Sequence, residues 1–183
     1  MAEDDLIISQ TKAWIREVVI GCNFCPFAAR EIARGTVDYK VVQHATQKGA
    51  VDALIKMCRD LDAKEDIETT LLILPHSFTY FSTFLQLLKA AQRSLEKKRY
   101  EGVYQIASFH PDYLFSDATV DDPANYTNRS PYPMLQLLRE KSVSKAVKNY
   151  PDAEGIPKRN IAFAREKGLL HMQALLAHCN TLS

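Results

Sequence analysis

Between Ser108 and Glu140 the chain gathers His110, Asp112, Asp121, Asp122, Asn125, Asn128, Arg129, Arg139 and Glu140, interleaved with Tyr113, Tyr126 and Tyr132. Residues of these types support two kinds of chemistry. An imidazole and a carboxylate separated only by Pro111 can act as general acid and base, or offer a nitrogen and an oxygen to a divalent metal. His110 and Asp112 are therefore candidates for both catalysis and metal binding, and Asp122 is a further carboxylate for the catalytic role. The hydrogen-bonding groups of Asn125, Asn128, Arg129 and Arg139, with Tyr126 and Tyr132 as walls, suit a small anionic substrate. Structural alternatives use the same residues. Asp121-Asp122-Pro123 also makes ordinary Asx turns, Arg129 can pair with either aspartate to hold a loop, and Arg139 can pair structurally within its element.

A second group of candidates lies in Cys22-Asn23-Phe24-Cys25-Pro26-Phe27-Ala28. A Cys-x-x-Cys pair entering a helix can lower a thiolate's pKa and carry thiol-disulfide exchange. Here the pair follows residues at helical rather than strand spacing, which is not the setting of a thioredoxin-like redox turn. Cys25 alone could be a nucleophile working with His110, or a small buried apolar residue. Four-cysteine zinc is not expected, because Cys58 sits on an apolar helical face and Cys179 near the end, neither in a second such pair.

These groups need a frame, and the apolar periodicity supplies one. Ile7, Trp14, Ile15, Val18 and Val19 recur at helical spacing up to Gly21, and a short helical run through Ile32 ends at Gly35. Val37–His44 reads as a strand, Lys48–Leu61 as an amphipathic helix, Thr69–Leu74 as an apolar strand, Phe78–Lys98 as a long helix and Val103–Phe109 as a third strand. That alternation predicts an α/β fold: a single three-layer-like domain with a small, mostly parallel β-α-β-α-β core sheet, an N-terminal helix and two C-terminal helices. His44, His76 and His110 fall at or just past strand carboxyl ends, where ligands gather in parallel sheets. The loop after His110, about 20 residues without regular periodicity, is long enough to be functional, and its prolines argue for order. Ser130 is expected to cap a helix reaching Asn149, with Pro131 and Pro133 in its first turn, placing Arg129 beside free amides that favour an anion. Pro157–Cys179 reads as the last helix, with a weak point at Gly168.

A chain of 183 residues fits one domain spanning 1–183. Its formal charge of +1 leaves no electrostatic footprint for nucleic acid or an anionic membrane. The start, MAEDDLIIS, lacks the basic and apolar regions of an export signal, and no apolar stretch approaches a membrane span. Four cysteines at unrelated spacings fit a reducing compartment, so the expected location is the cytoplasm.

Several words of the sequence resemble the DUF1415 family of bacterial proteins of unknown function. They are Cys25-Pro26-Phe27-Ala28; Thr70-Leu71-Leu72 leading to Pro75; Ser108-Phe109-His110-Pro111-Asp112-Tyr113; Asp122 through Asn125-Tyr126-Thr127-Asn128-Arg129-Ser130-Pro131-Tyr132-Pro133-Met134; Leu137-Leu138-Arg139-Glu140; and Asn160-Ile161. Three positions depart from the family's pattern as the resemblance gives it. Gln136 stands where the family reads histidine, Leu74 stands before Pro75 where the family has histidine, and Cys22 lies outside the pattern. The last departure weighs against chemistry by a cysteine pair.

The leading expectation is a small enzyme that acts on a small anionic molecule by hydrolysis or group transfer, assisted by a divalent metal if His110 and Asp112 bind one. Its catalytic set would be His110, Asp112, Asp122 and Cys25, and Asn125, Asn128, Arg129, Tyr126, Tyr132 and Arg139 would hold the substrate. Two other classes remain open: an anion- or peptide-binding module without chemistry, and a thiol redox protein using Cys22 and Cys25.

Overall fold

The computed structural model describes residues 2–181. Acidic side chains at Glu3, Asp4 and Asp5 complement a helix N-terminus, and α1 runs Glu3–Trp14 before widening into a π-helical turn over Ile15–Ile20. Gly21 follows that turn, and a Cβ there would meet the Glu17 carbonyl oxygen at 2.2 Å, so the position requires glycine. The turn carrying Cys22 and Cys25 leads into α2 (Ala28–Arg34), which Gly35 closes in the left-handed region at φ 67°. Then come β1 (Val37–Val41), α3 (Gln47–Ala63), β2 (Thr69–Ile73), α4 (Phe81–Lys97) and β3 (Tyr104–Phe109). This is the alternation read from the sequence.

The sheet is mixed, not mostly parallel. Its order is β1-β2-β4-β3, with β1 and β2 parallel and β4 (Met134–Arg139) antiparallel to both β2 and β3. The helix expected from Ser130 to Asn149 is therefore a strand followed by a shorter helix, α5 (Glu140–Lys148). The reason lies in where β4 runs. It is an inner strand, so Met134, Leu135 and Leu137 are all 0 % exposed although they face opposite sides. Such a continuous apolar run lacks the alternation that separates a strand from one face of a helix. Ser130 caps no helix; its hydroxyl donates to the Tyr132 carbonyl at 2.7 Å in the proline-bracketed segment before β4. The last expected helix is divided at Gly168 (φ 82°) into α6 (Ile156–Lys167) and α7 (Leu169–Thr181).

Core side chains cover both faces of the sheet. Leu72, Leu74, Leu135 and Leu137 pack with residues of α3 and α4 on one face. Leu71, Ile73 and Met134 pack on the other with Trp14, Val18, Ala164, Met172 and Cys179, from α1, the π-helical turn, α6 and α7. Complete burial of each such leucine or isoleucine contributes about 1.5–3 kcal/mol, so the β2–β4 pair is the natural spine of the molecule. Among the described residues no helix is long and apolar enough to cross a membrane.

Candidate functional site

The loop that follows β3 is ordered by its own side chains. His110 is fully buried, with its ring against Phe81 and Phe84 at centroid separations of 5.3 and 5.0 Å. Its Nε2 lies 2.9 Å from the Phe78 carbonyl, and its Nδ1 lies 2.9 Å from the Asp112 backbone N–H. A carbonyl can only accept and an amide N–H only donates, so Nε2 carries the proton and Nδ1 is bare. Both nitrogens are engaged, and burial lowers the imidazole's pKa against the opposing effects of the Phe78 carbonyl and the Asp112 charge. Phe78 is itself held at φ 57°, a strained conformation for a bulky residue, where its carbonyl can accept this bond.

The other loop residues behave alike. Asn125 is buried, its Oδ1 accepting from the Phe115 N–H at 3.1 Å and its Nδ2 donating to the Thr119 carbonyl at 2.8 Å. Arg129 donates to the Tyr113 and Val120 carbonyls at 3.2 and 3.1 Å and lies 4.6 Å from the Tyr126 ring centroid. It pairs with neither aspartate. Asp122 instead caps the 3-10 turn Pro123–Thr127 through the Ala124 N–H and meets Arg165 at 2.7 and 3.1 Å, contacts that lower its carboxyl pKa, Arg165 foremost. Tyr132 gives its hydroxyl to Gln10 Oε1. Asp112 is exposed. Among the described residues no three His, Cys, Asp or Glu side chains form a metal-holding group. The helix N-terminus expected beside Arg129 is absent too, since Met134 begins a strand.

A space suited to a ligand lies on the face of the sheet that carries Leu71 and Met134. Pairing registers align three rows there: Val37–Thr69–Leu138–Gln105, Tyr39–Leu71–Gln136–Ala107, and Val41–Ile73–Met134–Phe109. The third row is covered, and Trp14 meets Phe109 edge-on at 5.0 Å. Residues of the first two rows, from Val37 to Ala107, floor a cavity of about 650 Å³. Its walls come from the π-helical turn (Ile15, Val19), the cysteine turn and α2 (Phe24, Cys25, Phe27, Ala28), α5 (Ser142, Val143, Ala146), α6 (Ile156, Asn160, Ile161) and the loop (Phe115, Thr127, Asn128). That volume falls within the roughly 300–1,000 Å³ typical of small-molecule sites.

Of the residues singled out from sequence, Cys25, Asn128 and Arg139 line this cavity, whereas His110, Asp112, Asp122, Asn125, Tyr126, Arg129 and Tyr132 do not. Cys25 is pushed to a raised pKa by burial, although the Phe27 and Ala28 amides at the start of α2 pull it down. Cys22 is also raised by burial, with Lys167 opposing, and both thiols are free. Arg139 donates to the Leu61, Lys64 and Ile67 carbonyls at 2.7, 2.8 and 3.0 Å, closing the C-terminus of α3. Sequence reasoning missed Glu68 and Ala107 and gave Gln136 and Asn160 no role. The last two were visible only as a departure from the family pattern and as one of its words.

His44 and His76 do share the sheet edge expected of them. Their rings stack at 5.3 Å beside a smaller hollow, and His76 Nε2 lies 2.8 Å from Glu3 Oε1.

The family model for DUF1415, a protein of unknown function, matches residues 6–174. No curated protein and no solved structure matches the chain.

Proposed function

The chain belongs to the DUF1415 family, and we propose that this protein binds a small, mainly apolar molecule in the cavity over Leu71, Gln136 and Ala107. One observation carries this reading. Segments distant in sequence, Cys25-Pro26-Phe27-Ala28, Phe109, Thr127-Asn128, Leu138-Arg139 and Asn160-Ile161, meet around a single open space, and each belongs to a word by which the chain resembles its family. A requirement for packing alone would have filled that space, because an open apolar surface forfeits about 25 cal/mol for each Å² left unburied.

Catalysis on an anion by the 108–140 loop has less support. Its imidazole has both nitrogens engaged, and each guanidinium gives its Nε and one terminal nitrogen to backbone carbonyls. The cavity does hold a thiol, Cys25, but among the described residues no histidine lines it to take the thiol proton.

Trp14 is the only tryptophan in the sequence and lies in the cavity wall, so it reports binding directly. Titration with the neutral apolar probe N-phenyl-1-naphthylamine should quench Trp14 emission by energy transfer and saturate at one probe per chain. Ala107→Phe, which places a ring on the cavity floor, should abolish saturation while leaving the far-ultraviolet circular dichroism intact. Equal probe binding by that variant would remove the cavity as the site.

A further inference from the structure

We infer that the cavity selects a ligand that donates hydrogen bonds, an amine on an apolar body, rather than an anion; this rests on the cavity being the binding site. The polarity of its lining points that way. Thr69 Oγ1 donates to the Leu137 carbonyl at 2.8 Å, so towards Gln136 it can only accept. Gln136 must therefore turn its Nε2 to Thr69, at 3.0 Å, leaving Oε1 without a partner among the described residues in the middle of the cavity floor. The same logic fixes Asn160 on the α6 wall. Its Nδ2 donates to the Phe24 carbonyl at 2.7 Å, an atom that cannot donate in return, so the amide oxygen is the end left for a ligand.

The charged groups agree. Glu68, beside Thr69, accepts the Ser142 hydroxyl at 2.7 Å and has no cationic partner among the described residues. Among the described residues Arg139 is the only cationic side chain in the lining, and three backbone carbonyls take its Nε and one terminal nitrogen. The hydroxyl donors Thr69, Thr127 and Ser142 all serve protein acceptors. The lining also holds the Glu31 carboxylate, which meets Arg34 at 3.5 Å, the exposed Gln105 amide and one further terminal nitrogen of Arg139. The groups of fixed orientation left for a ligand over the floor and the α6 wall are two amide oxygens, with the Glu68 carboxylate, which has no counter-ion among the described residues, beside them. A cation is attracted to the Glu68 carboxylate, and a second anion beside it is opposed. An ammonium group supplies the charge and the donors together, and its hydrocarbon body covers Leu71, Ala107 and Leu138.

The test displaces N-phenyl-1-naphthylamine, followed through Trp14, with three molecules that share one chain: n-octylamine, n-octanol and sodium octanoate, at pH 7 and constant ionic strength. Octylamine should displace the probe at a concentration at least tenfold below octanol, with octanoate weakest. Glu68→Gln should bring octylamine to within about threefold of octanol, and Gln136→Leu should weaken both donors relative to octanoate. Octanoate binding as tightly as octylamine, or an unchanged order in both variants, would overturn the inference while leaving the cavity as the site. A chain that never binds the probe would remove the cavity reading itself. Because Gln136 and Glu68 carry few packing contacts that a same-sized residue cannot replace, probe affinity in each variant checks that the chamber is intact.

Discussion

Replacing His110 with alanine separates a structural imidazole from a catalytic one. In the fold the ring is fully buried, wedged against Phe81 and Phe84, and bonded at both nitrogens. An imidazole is smaller than the phenyl rings whose removal costs about 3–5 kcal/mol, so lost packing should cost about 2–3 kcal/mol. Leaving the Phe78 carbonyl and the Asp112 N–H without partners adds about 1 kcal/mol each. The expected loss is about 4–5 kcal/mol, measured from urea midpoints at pH 7.5, with His110→Gln losing less because it keeps hydrogen-bonding atoms. A pH signature accompanies it. Burial lowers the folded-state pKa below the ordinary 6.5, so between those values the unfolded chain binds a proton that the folded chain does not. The stabilisation from His110 is thus complete above 6.5 and is lost as pH falls through the folded value, with a slope of at most about 1.4 kcal/mol per pH unit. Wild type should lose at most about 1.4 kcal/mol more than His110→Ala between pH 7.5 and pH 5.5. An unaltered urea midpoint in His110→Ala, or a nitrogen NMR titration placing His110 at the ordinary value, would refute the buried-staple account.

Arg139→Met should destabilise the chain by about 2–3 kcal/mol, since charge-assisted bonds close the end of α3, and hydrogen exchange should accelerate first in residues 61–67. Protection unchanged there would mean the guanidinium does not hold that end. Asp122, whose carboxyl pKa is held below its ordinary 3.8 by Arg165, contributes stability that is present above that value and lost as pH falls through the folded one. Wild type should therefore exceed Asp122→Asn in urea midpoint at pH 6 and lose its advantage in strong acid; an equal gap at both would contradict the ion pair. Burial raises the Cys22 and Cys25 thiols, so iodoacetamide should label them more slowly than free cysteine at pH 7 and faster as pH rises. Intact masses with and without reductant should agree, and a loss of two hydrogens without reductant would instead restore the redox reading.

Elements with one-sided burial were legible in the sequence. In α4, Phe84, Ala91 and Leu95 are buried at helical spacing, Gly35 ends α2 as expected, and Gly168, expected as a weak point within one helix, divides that segment into two. β4 was not legible, because an inner strand is apolar on both sides and Met134-Leu135-Gln136-Leu137-Leu138 satisfies either period. Missing that strand had two consequences. It left the sheet expected as mostly parallel when β4 lies antiparallel between β2 and β3, and it hid the cross-strand row that brings Leu71, Gln136 and Ala107 onto one floor. Ala107 carries no chemical signal at all; its contribution is the volume it does not occupy.

The density of polar groups after β3 has a physical cause separate from ligand chemistry. A long irregular segment leaves carbonyls that no helix or sheet satisfies, and each must find a donor if it is buried. His110 serves Phe78, Asn125 serves Thr119, Asn128 serves Ser108, and Arg129 serves Tyr113 and Val120, so the loop's imidazole, amides and guanidinium act chiefly as donors to the backbone. Such a loop and an active site draw on the same residue types, and composition does not separate them. The loop still bears on the cavity. The Trp14 indole donates to the Arg129 carbonyl at 2.9 Å, tying the segment to α1, and Phe115, Thr127 and Asn128 reach the cavity from it. On the proposed reading, loop side chains outside the cavity fix the positions of those that line it, which would lower the conformational cost of binding.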